Sequence, residues 1–483
     1  MRGDKVDKRK SFGVRKTKVA SRVFRACGKH EESFNREHQG SMPITFIHLS
    51  DIHFGQEKGG AVITNNDVKE RLIEDAAAQM KAHAGGRPAA GIIVTGDVAY
   101  AGQSSEYHDA AAWLDRLTNA VKCDKTSVQV VPGNHDIDRK KITRGCRMML
   151  DAIVEKGEEL LDEFLKTELD RQSLYNRFAA YRPFAEGYNC PLDGGGGIAS
   201  ERSYELAPGR ILRVIGLNSA LICSINDEEG RLLLGARQRV LPRRPGEELV
   251  VLCHHPLHWL QDSEDARRYV RSRSRVFVSG HEHNPALKLE NTGPGSDLMM
   301  LAAGATVPPK AENGFTYTYN LLTFDWDPAS DGLMVTIVPR AWSDDKKDFD
   351  EDDHRLGGRQ RSIVLGSPNF RAASRPEAAA AAVPPAEPPA KEAQLDENNA
   401  GGVDVAADIP LLLLQFFRDL SPGQRLEVLV KLKALPAEWP DPLTHAMERG
   451  AFDRLVHIGR GTELQDATNE ILQRQPQPRR GTE

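Results

Sequence analysis

Five short apolar runs, at 46–49, 92–94, 128–131, 249–253 and 276–278, each stop at a cluster of aspartate, asparagine, histidine and glycine. The clusters read Asp51-Ile52-His53, Gly96-Asp97, Gly133-Asn134-His135-Asp136, His254-His255-Pro256 and Gly280-His281-Glu282-His283. A short, almost continuous apolar run bounded by turn residues is the pattern of a buried strand. Helical patterns at about 67–84 and 105–121 separate the first three runs. This alternation predicts an α/β domain with ligand-binding loops at its strand ends. Five such loops share one sheet edge, where their side chains can converge. Further strands are expected near 211–217, 298–301, 319–324 and 334–338.

Asp51, Asp97 and Asn134, with four histidines, make a mixed oxygen and nitrogen donor set. Such a set suits a pair of borderline divalent cations, with a carboxylate available to bridge them. Gly96, Gly133 and Gly280 stand where a strand turns sharply before presenting a donor, so each is expected at positive φ. His48 and His108 read as ordinary core or surface residues. His255 and His258 are divided between lining the site and packing behind it. Cys253 reads as a small buried apolar residue and Asn218 as part of a turn.

In this order the motifs resemble the calcineurin-like metallophosphoesterase superfamily, whose pattern is D-x-H, G-D, G-N-H-D/E, H and G-H-x-H. The resemblance spans about 44–340 of the 483 residues. It implies a four-layer α/β/β/α sandwich, two divalent metal ions (Mn, Fe, Zn or Ni) and phosphoric ester hydrolysis. Carried over residue by residue, it assigns Asp51, His53 and His283 to one metal. Asn134, His254 and His281 take the other, and Asp97 bridges the two. His254 is chosen over His255 because the family places its ligand two residues before proline. His135 is implied near the leaving-group oxygen as acid or charge stabiliser, with Asp136 orienting it. The implied chemistry is in-line attack of a metal-bridging hydroxide, without a covalent enzyme intermediate.

The protein Ser/Thr phosphatase branch carries G-D-x-V-D-R-G, whereas this chain reads Gly96-Asp97-Val98-Ala99-Tyr100-Ala101-Gly102. The phosphate-clamping arginine of that branch is missing. With the G-N-H-D, His-His-Pro and Gly-His-Glu-His forms, this favours a phosphodiester or nucleotide-type substrate, a small molecule or a nucleic acid. The alternatives are a phosphomonoesterase or protein phosphatase, and a catalytically relict scaffold acting through its C-terminal region. His255 and Arg271 are further candidates for substrate contact. Arg267, Arg271 and Arg275 share one helical face at i, i+4 and i+8, either a solvated face or a phosphate-contacting patch. The acidic run 348–353 reads as a solvated loop.

Around this unit the composition shifts. Residues 1–42 carry 12 Lys/Arg against 5 Asp/Glu and read as a disordered basic extension, although the whole chain is net −5. Two readings compete, a genuine basic arm or a natural start at Met42, and the lack of pattern shared with the rest of the chain favours the second. The catalytic domain is placed at 43–365, with a helical insertion at about 139–190. An Ala/Pro-rich linker at 366–408 is too low in complexity to bury a core. A small all-α domain comes next at 409–473, then a tail at 474–483. Ser421-Pro422-Gly423-Gln424 has the N-cap, first-turn proline and capping-box glutamine of a helix start. This domain is weakly similar to the death-fold-like adaptor domains of bacterial conflict-system effectors, which implies a protein partner or self-association. No run approaches the ~18 apolar residues of a membrane-spanning helix, and no signal peptide pattern is present. Six cysteines without C-x-x-C spacing read as reduced thiols of a cytoplasmic protein.

Overall fold

The computed structural model describes residues 41–57, 61–308, 316–373, 407–436, 438–440 and 443–474. The basic extension, except for Ser41 and Met42, lies outside them. So do most of the expected linker and the tail from 475.

The apolar runs form strands at the core of two mixed sheets. The first has the order β12 (Asp348–Glu351), β11 (Gly332–Ser343), β10 (Thr318–Asp327), β1 (Ile44–Leu49), β2 (Gly91–Val94), β3 (Val128–Val130), with β13 (Ser362–Leu365) also on β11. The second runs β4 (Ser200–Ala207), β5 (Arg210–Gly216), β6 (Glu247–Leu252), β7 (Ser274–Ser279), β9 (Ser296–Ala302), β8 (Ala286–Gly293). Strands β1, β2 and β3 are parallel, as are β5, β6, β7 and β9, so their carboxyl ends point the same way within each sheet.

Alternation along each strand builds two cores. Phe46, Ile93, Val250, Leu252, Val276 and Val278 meet between the sheets with Leu322 and Phe324. Their neighbours Ile47, Ile92, Val94, Leu249, Val251 and Phe277 face outward to helices. Helices α1 (Ala61–His83) and α2 (Ser104–Ala120) cover the first sheet through Leu72, Ala76, Trp113 and Leu117. The result is the four-layer α/β/β/α sandwich. Each fully buried Val, Leu, Ile or Phe here contributes about 1.5–3 kcal/mol, and truncating Phe46 to alanine would cost about 3–5 kcal/mol.

Between β3 and β4 the chain forms α3 (Arg144–Lys156), α4 (Glu158–Lys166), α5 (Glu168–Tyr175) and α6 (Tyr181–Gly187). Tyr181 and Phe184 of α6 pack on Tyr107 of α2, at ring separations of 6.0 and 5.1 Å. The helix α7 (Ser263–Arg273) joins β6 to β7.

Two sequence expectations are corrected. The run 348–353 is not a free loop, because Phe349 drives Asp348–Glu351 into an edge strand by burying against Tyr319 and Trp342. Within it, Asp352 is buried and paired with Arg355. Likewise Arg267, Arg271 and Arg275 do not form one helical face. The helix ends at Arg273, and Arg275 is a buried β7 residue paired with Glu248 at 3.2 Å.

The C-terminal residues form α8 (Ile409–Leu413), continued by a π-helical turn at Leu414–Asp419, then α9 (Pro422–Lys431), α10 (His445–His457) and α11 (Gly461–Arg474). Ser421 Oγ accepts from Gln424 N, and Gln424 Oε1 accepts from Ser421 N at 2.9 Å, so the capping box forms as expected. Leu412, Phe416, Val428, Leu429, Phe452, Leu464 and Ile471 give these helices their own core. They also dock on the sandwich. Arg418 grips Asp115 of α2 through both terminal nitrogens, at 2.7 and 3.1 Å, and donates to Tyr188 Oη at 2.9 Å. His445 Nε2 lies 3.0 Å from Glu186 Oε2, and Arg449 pairs with the same carboxylate. Gly187 lets the π-turn approach, since a Cβ there would stand 2.7 Å from that of Arg418.

Candidate metal centre

The loops leaving β1, β2, β3, β6 and β7 meet at one edge of the sandwich. Backbone bonds register them: Asp51 N donates to Gly96 O at 3.0 Å, His53 N to Asp97 O at 3.0 Å, and Gly280 N to His254 O at 2.9 Å. Asp51, His53, Asp97, His281 and His283 all adopt left-handed backbone, with φ between 53° and 72°. Such backbone is costly for residues with side chains and persists where the surroundings over-determine it. Five of the seven expected ligands are therefore held in strained conformations that aim them inward.

Of the three loop glycines only Gly96 has positive φ, at 93°. Gly133 and Gly280 are required for another reason. A Cβ on Gly133 would fall on Asp97 Oδ1, and one on Gly280 would fall on Ser50 Oγ and lie 2.8 Å from Asp51 Oδ2. These glycines make room for carboxylates, which corrects the expectation of positive φ at both.

All seven expected ligands converge. Asp97 Oδ2 lies 3.3 Å from His53 Nε2 and 3.3 Å from His254 Nε2. Asn134 Oδ1 lies 3.2 Å from His254 Nε2 and 3.1 Å from His281 Nδ1. Asp51 Oδ1 lies 3.1 Å from His283 Nε2. Donor atoms of Asp51, His53 and His283 fall within 4.8 Å of one another, as do those of Asp51, Asp97 and His254. Carbonyl oxygens fix two of the rings. His254 Nδ1 donates to Thr95 O at 2.8 Å and His53 Nδ1 to Val307 O at 3.3 Å, so each presents Nε2 to the cluster.

The electrostatics suit a cation. Burial opposes ionisation of Asp97, but the charge and hydrogen bonds of His254 and His53 outweigh it and hold the carboxyl well below the usual range. Asp51 is likewise lowered to about 2, its burial outweighed chiefly by the hydrogen bond from His283. Two buried anions, one amide oxygen and four imidazoles fit borderline divalent cations.

His135 is half-buried at the rim. Its backbone N donates to Asp97 Oδ1 at 2.8 Å and its Nδ1 to Tyr100 O at 2.7 Å. Asp136 does not orient it, contrary to expectation. The Asp136 carboxylate instead accepts from Gly133 N at 2.9 Å, Ala99 N at 3.0 Å and Tyr107 Oη at 3.0 Å, tying the two loops together. Burial, reinforced by the charge of Asp97, raises its pKa to about 7.

His255, expected to line the substrate site, is fully buried behind it, with Nδ1 2.8 Å from Ser219 Oγ. Its immediate neighbour His254 faces the cluster, and a ring nitrogen of His255 also falls within 4.8 Å of donor atoms of His254 and His281. Arg271 pairs with Glu290 of β8, which also takes Arg267 at 2.7 Å, so these cations neutralise a carboxylate instead of forming a free patch. His258 is exposed and lies 2.7 Å from Glu282. His48 is core, with Nε2 3.1 Å from Thr95 Oγ1. Cys253 is buried, and Asn218 Oδ1 caps Ala220 N within a turn.

Several supporting residues were missed. Ser50 Oγ donates to Asp51 Oδ2 at 2.5 Å, and Trp259 packs edge-on to His281 at 4.2 Å. Arg139 donates to Ser224 O at 3.3 Å and to Asn134 O at 3.4 Å. Tyr100 stacks on His135. Each lies within five residues of a motif, but single serines, tryptophans and tyrosines carry no spacing signal.

An α/β sandwich that gathers ionised carboxylates and imidazoles at the carboxyl edge of its parallel strands is a metal-binding protein of the hydrolytic type. The family model of calcineurin-like phosphoesterases matches residues 44–285, and the chain belongs to that family. The model of the GTPase-associated adaptor domain matches residues 408–470. A curated relative is the uncharacterized metallophosphoesterase-like protein YydB of Bacillus subtilis (strain 168), 22% identical over 284 residues. That alignment covers 55% of this chain and 54% of the relative, so the chain spans about half the length of the curated relative it matches. Similar solved structures include the Haemophilus influenzae NAD nucleotidase, at 10% identity and TM-score 0.30, covering 69% of this chain and 55% of that one. The 5′-nucleotidase precursor of Thermus thermophilus is 15% identical with TM-score 0.30, covering 70% and 58%. A Vps29 mutant from Entamoeba histolytica is 11% identical with TM-score 0.29, covering 67% and 99%.

Proposed function

We propose that this chain is a dinuclear metal-dependent phosphoesterase acting on a phosphodiester or nucleotide-type substrate. The observation that carries the reading is Asp97, whose Oδ2 stands 3.3 Å from His53 Nε2 and equally from His254 Nε2. One carboxylate thus touches both halves of the donor set. Asp51, His53 and His283 would hold one cation, Asn134, His254 and His281 the second, and Asp97 both. Mn, Fe, Zn and Ni all suit these donors. When bound, the pair would supply an activated water and neutralise charge on the phosphoryl oxygens.

The chain's own residues set the remaining requirements. Asp51 and Asp97, ionised and buried, would supply the negative charge that holds the cations. Because His135 Nδ1 donates to Tyr100 O, its Nε2 carries a proton only in the imidazolium form. His135 would therefore donate to a leaving oxygen when protonated. Asp136 serves as a positioning residue, holding the Asp97 and Asn134 loops in register. Ala101 stands where the protein phosphatase branch has its arginine, which supports diesters or nucleotides over phosphoproteins.

The catalytic unit is placed at 43–365 and an interaction or self-association domain at 409–473. The adaptor-domain match supports a protein partner for the latter. Among the described residues no helix is long and apolar enough to cross a membrane.

The test measures bound metal and hydrolysis of bis(p-nitrophenyl) phosphate and p-nitrophenyl phosphate by wild type, Asp97→Ala and His254→Ala. The expected result is metal-dependent turnover favouring the diester, lost with metal content in both variants. Unchanged metal and turnover in both would overturn the proposal.

A further inference from the structure

Among the phenylalanines, tyrosines and tryptophans of the described residues, Tyr100 is the one that is exposed, at 38%, and it stands beside the metal centre. Its ring is 22° from parallel to that of His135, with centroids 5.1 Å apart. It lies edge-on to His53, a candidate ligand, at 6.2 Å. Hydrogen bonds hold the backbone of Tyr100. Tyr100 N donates to Phe54 O at 3.0 Å, and Tyr100 O accepts from His135 Nδ1 at 2.7 Å. The following residue, Ala101, brings no charge to the rim.

We infer that the Tyr100–His135 ring pair is a shelf on which the planar group of the ester, a nucleobase or aryl ring, stacks when its phosphorus reaches the metal centre. The inference rests on the proposed phosphoesterase reading and adds what the site selects for. An exposed tyrosine held in place loses little conformational freedom when a flat ligand lands on it. Base–aromatic stacking needs no particular hydrogen-bond pattern, so the shelf distinguishes planar from non-planar groups without selecting one base. Tyr100 is thereby a specificity-determining residue.

The test uses two ligands that differ only by the base, AMP and ribose 5-phosphate, titrated calorimetrically into the full-length, manganese-loaded protein. Wild type and Tyr100→Phe are expected to bind AMP about tenfold more tightly than ribose 5-phosphate, from the range for one stacked base. Tyr100→Leu and Tyr100→Ala are expected to bring that ratio close to one, the ratio cancelling any change common to both ligands. Leucine keeps apolar bulk against His135, so it separates loss of stacking from loss of support. A wild type without base preference, or a leucine variant that keeps it, would overturn the inference. Turnover of bis(p-nitrophenyl) phosphate by wild type reports separately on the hydrolytic reading, so the two can fail independently.

Discussion

Replacing Gly133 with alanine tests how the centre is packed. The backbone of Gly133 is not left-handed, so alanine meets no conformational penalty there. The entire effect comes from contact. The added methyl would land on Asp97 Oδ1, 2.7 Å from Asp97 N and 2.8 Å from its Cγ. Carbon contacts relax to about 3.5–4.0 Å, so the carboxylate must retreat by roughly 1 Å. Retreat also breaks the bond that Oδ1 accepts from His135 N at 2.8 Å. Overpacking costs about 1–3 kcal/mol and a charge-assisted hydrogen bond about 1.5–3 kcal/mol, so a loss of about 2.5–6 kcal/mol is expected. A 1 Å displacement of a positioning group lowers turnover on the order of 10²-fold. Denaturant unfolding gives the first quantity, and turnover of bis(p-nitrophenyl) phosphate at saturating manganese gives the second. Gly450→Ala is the matched control. Gly450 is exposed within α10 with nothing within 4 Å, so it should gain about 0.5–1 kcal/mol and leave turnover unchanged. A Gly133→Ala protein within about 0.5 kcal/mol and twofold of wild type would refute the packing argument, since ordinary surface substitutions stay in that range.

The docked helices give two further expectations. In a double-mutant cycle, Asp115→Ala and Arg418→Ala should couple by about 1.5–3 kcal/mol, because the bonds are charge-assisted and the side chains are 23% and 5% exposed. A coupling under about 0.5 kcal/mol would place the pair with ordinary surface ion pairs. Burial lowers the His445 pKa below 6.5 despite the opposing pull of Glu186, so the folded protein binds fewer protons there than the unfolded chain. Stability from this site is then present above pH 6.5 and lost as pH falls below it, and His445→Gln should flatten that part of a pH–melting curve. At the metal centre, manganese at 100 times its dissociation constant should stabilise wild type by about 2.7 kcal/mol, reversibly with a chelator. Calorimetry on Asp97→Ala should show a markedly smaller gain.

The strands at the core were legible because burial on both faces leaves almost continuous apolar runs, and each run ends in chemistry no core would tolerate unpaired. The donor set was legible in the order of its motifs. What stayed hidden was whatever depends on a distant partner. Asp136 sits one residue from His135, yet its carboxylate turns toward Ala99, Gly133 and Tyr107. Gly133 looked like a turn residue, but the requirement comes from Asp97, brought in from another strand. The acidic run became a strand through Phe349, one aromatic among five carboxylates. Arg275 continues the helical spacing of Arg267 and Arg271, but the helix has ended and Glu248 claims it. Docking of the C-terminal helices left no trace in composition, because Arg418, Glu186 and Asp115 each look like solvated surface residues.

That docking has a consequence for recruitment. A binder that needs the face carrying Arg418, His445 and Arg449 meets a competitor already attached to the same chain, namely Asp115 and Glu186. Its apparent affinity is weakened by the docking equilibrium, about a hundredfold for each 2.7 kcal/mol of docking free energy. Weak encounters are filtered out, and only a binder exceeding that threshold opens the contact. The helix that carries Asp115 at this contact also carries Tyr107 near its other end, whose Oη donates to Asp136 between the loops bearing Asp97 and Asn134. The surface that a binder must uncover and the carboxylate that ties the metal-centre loops together are thus served by one helix.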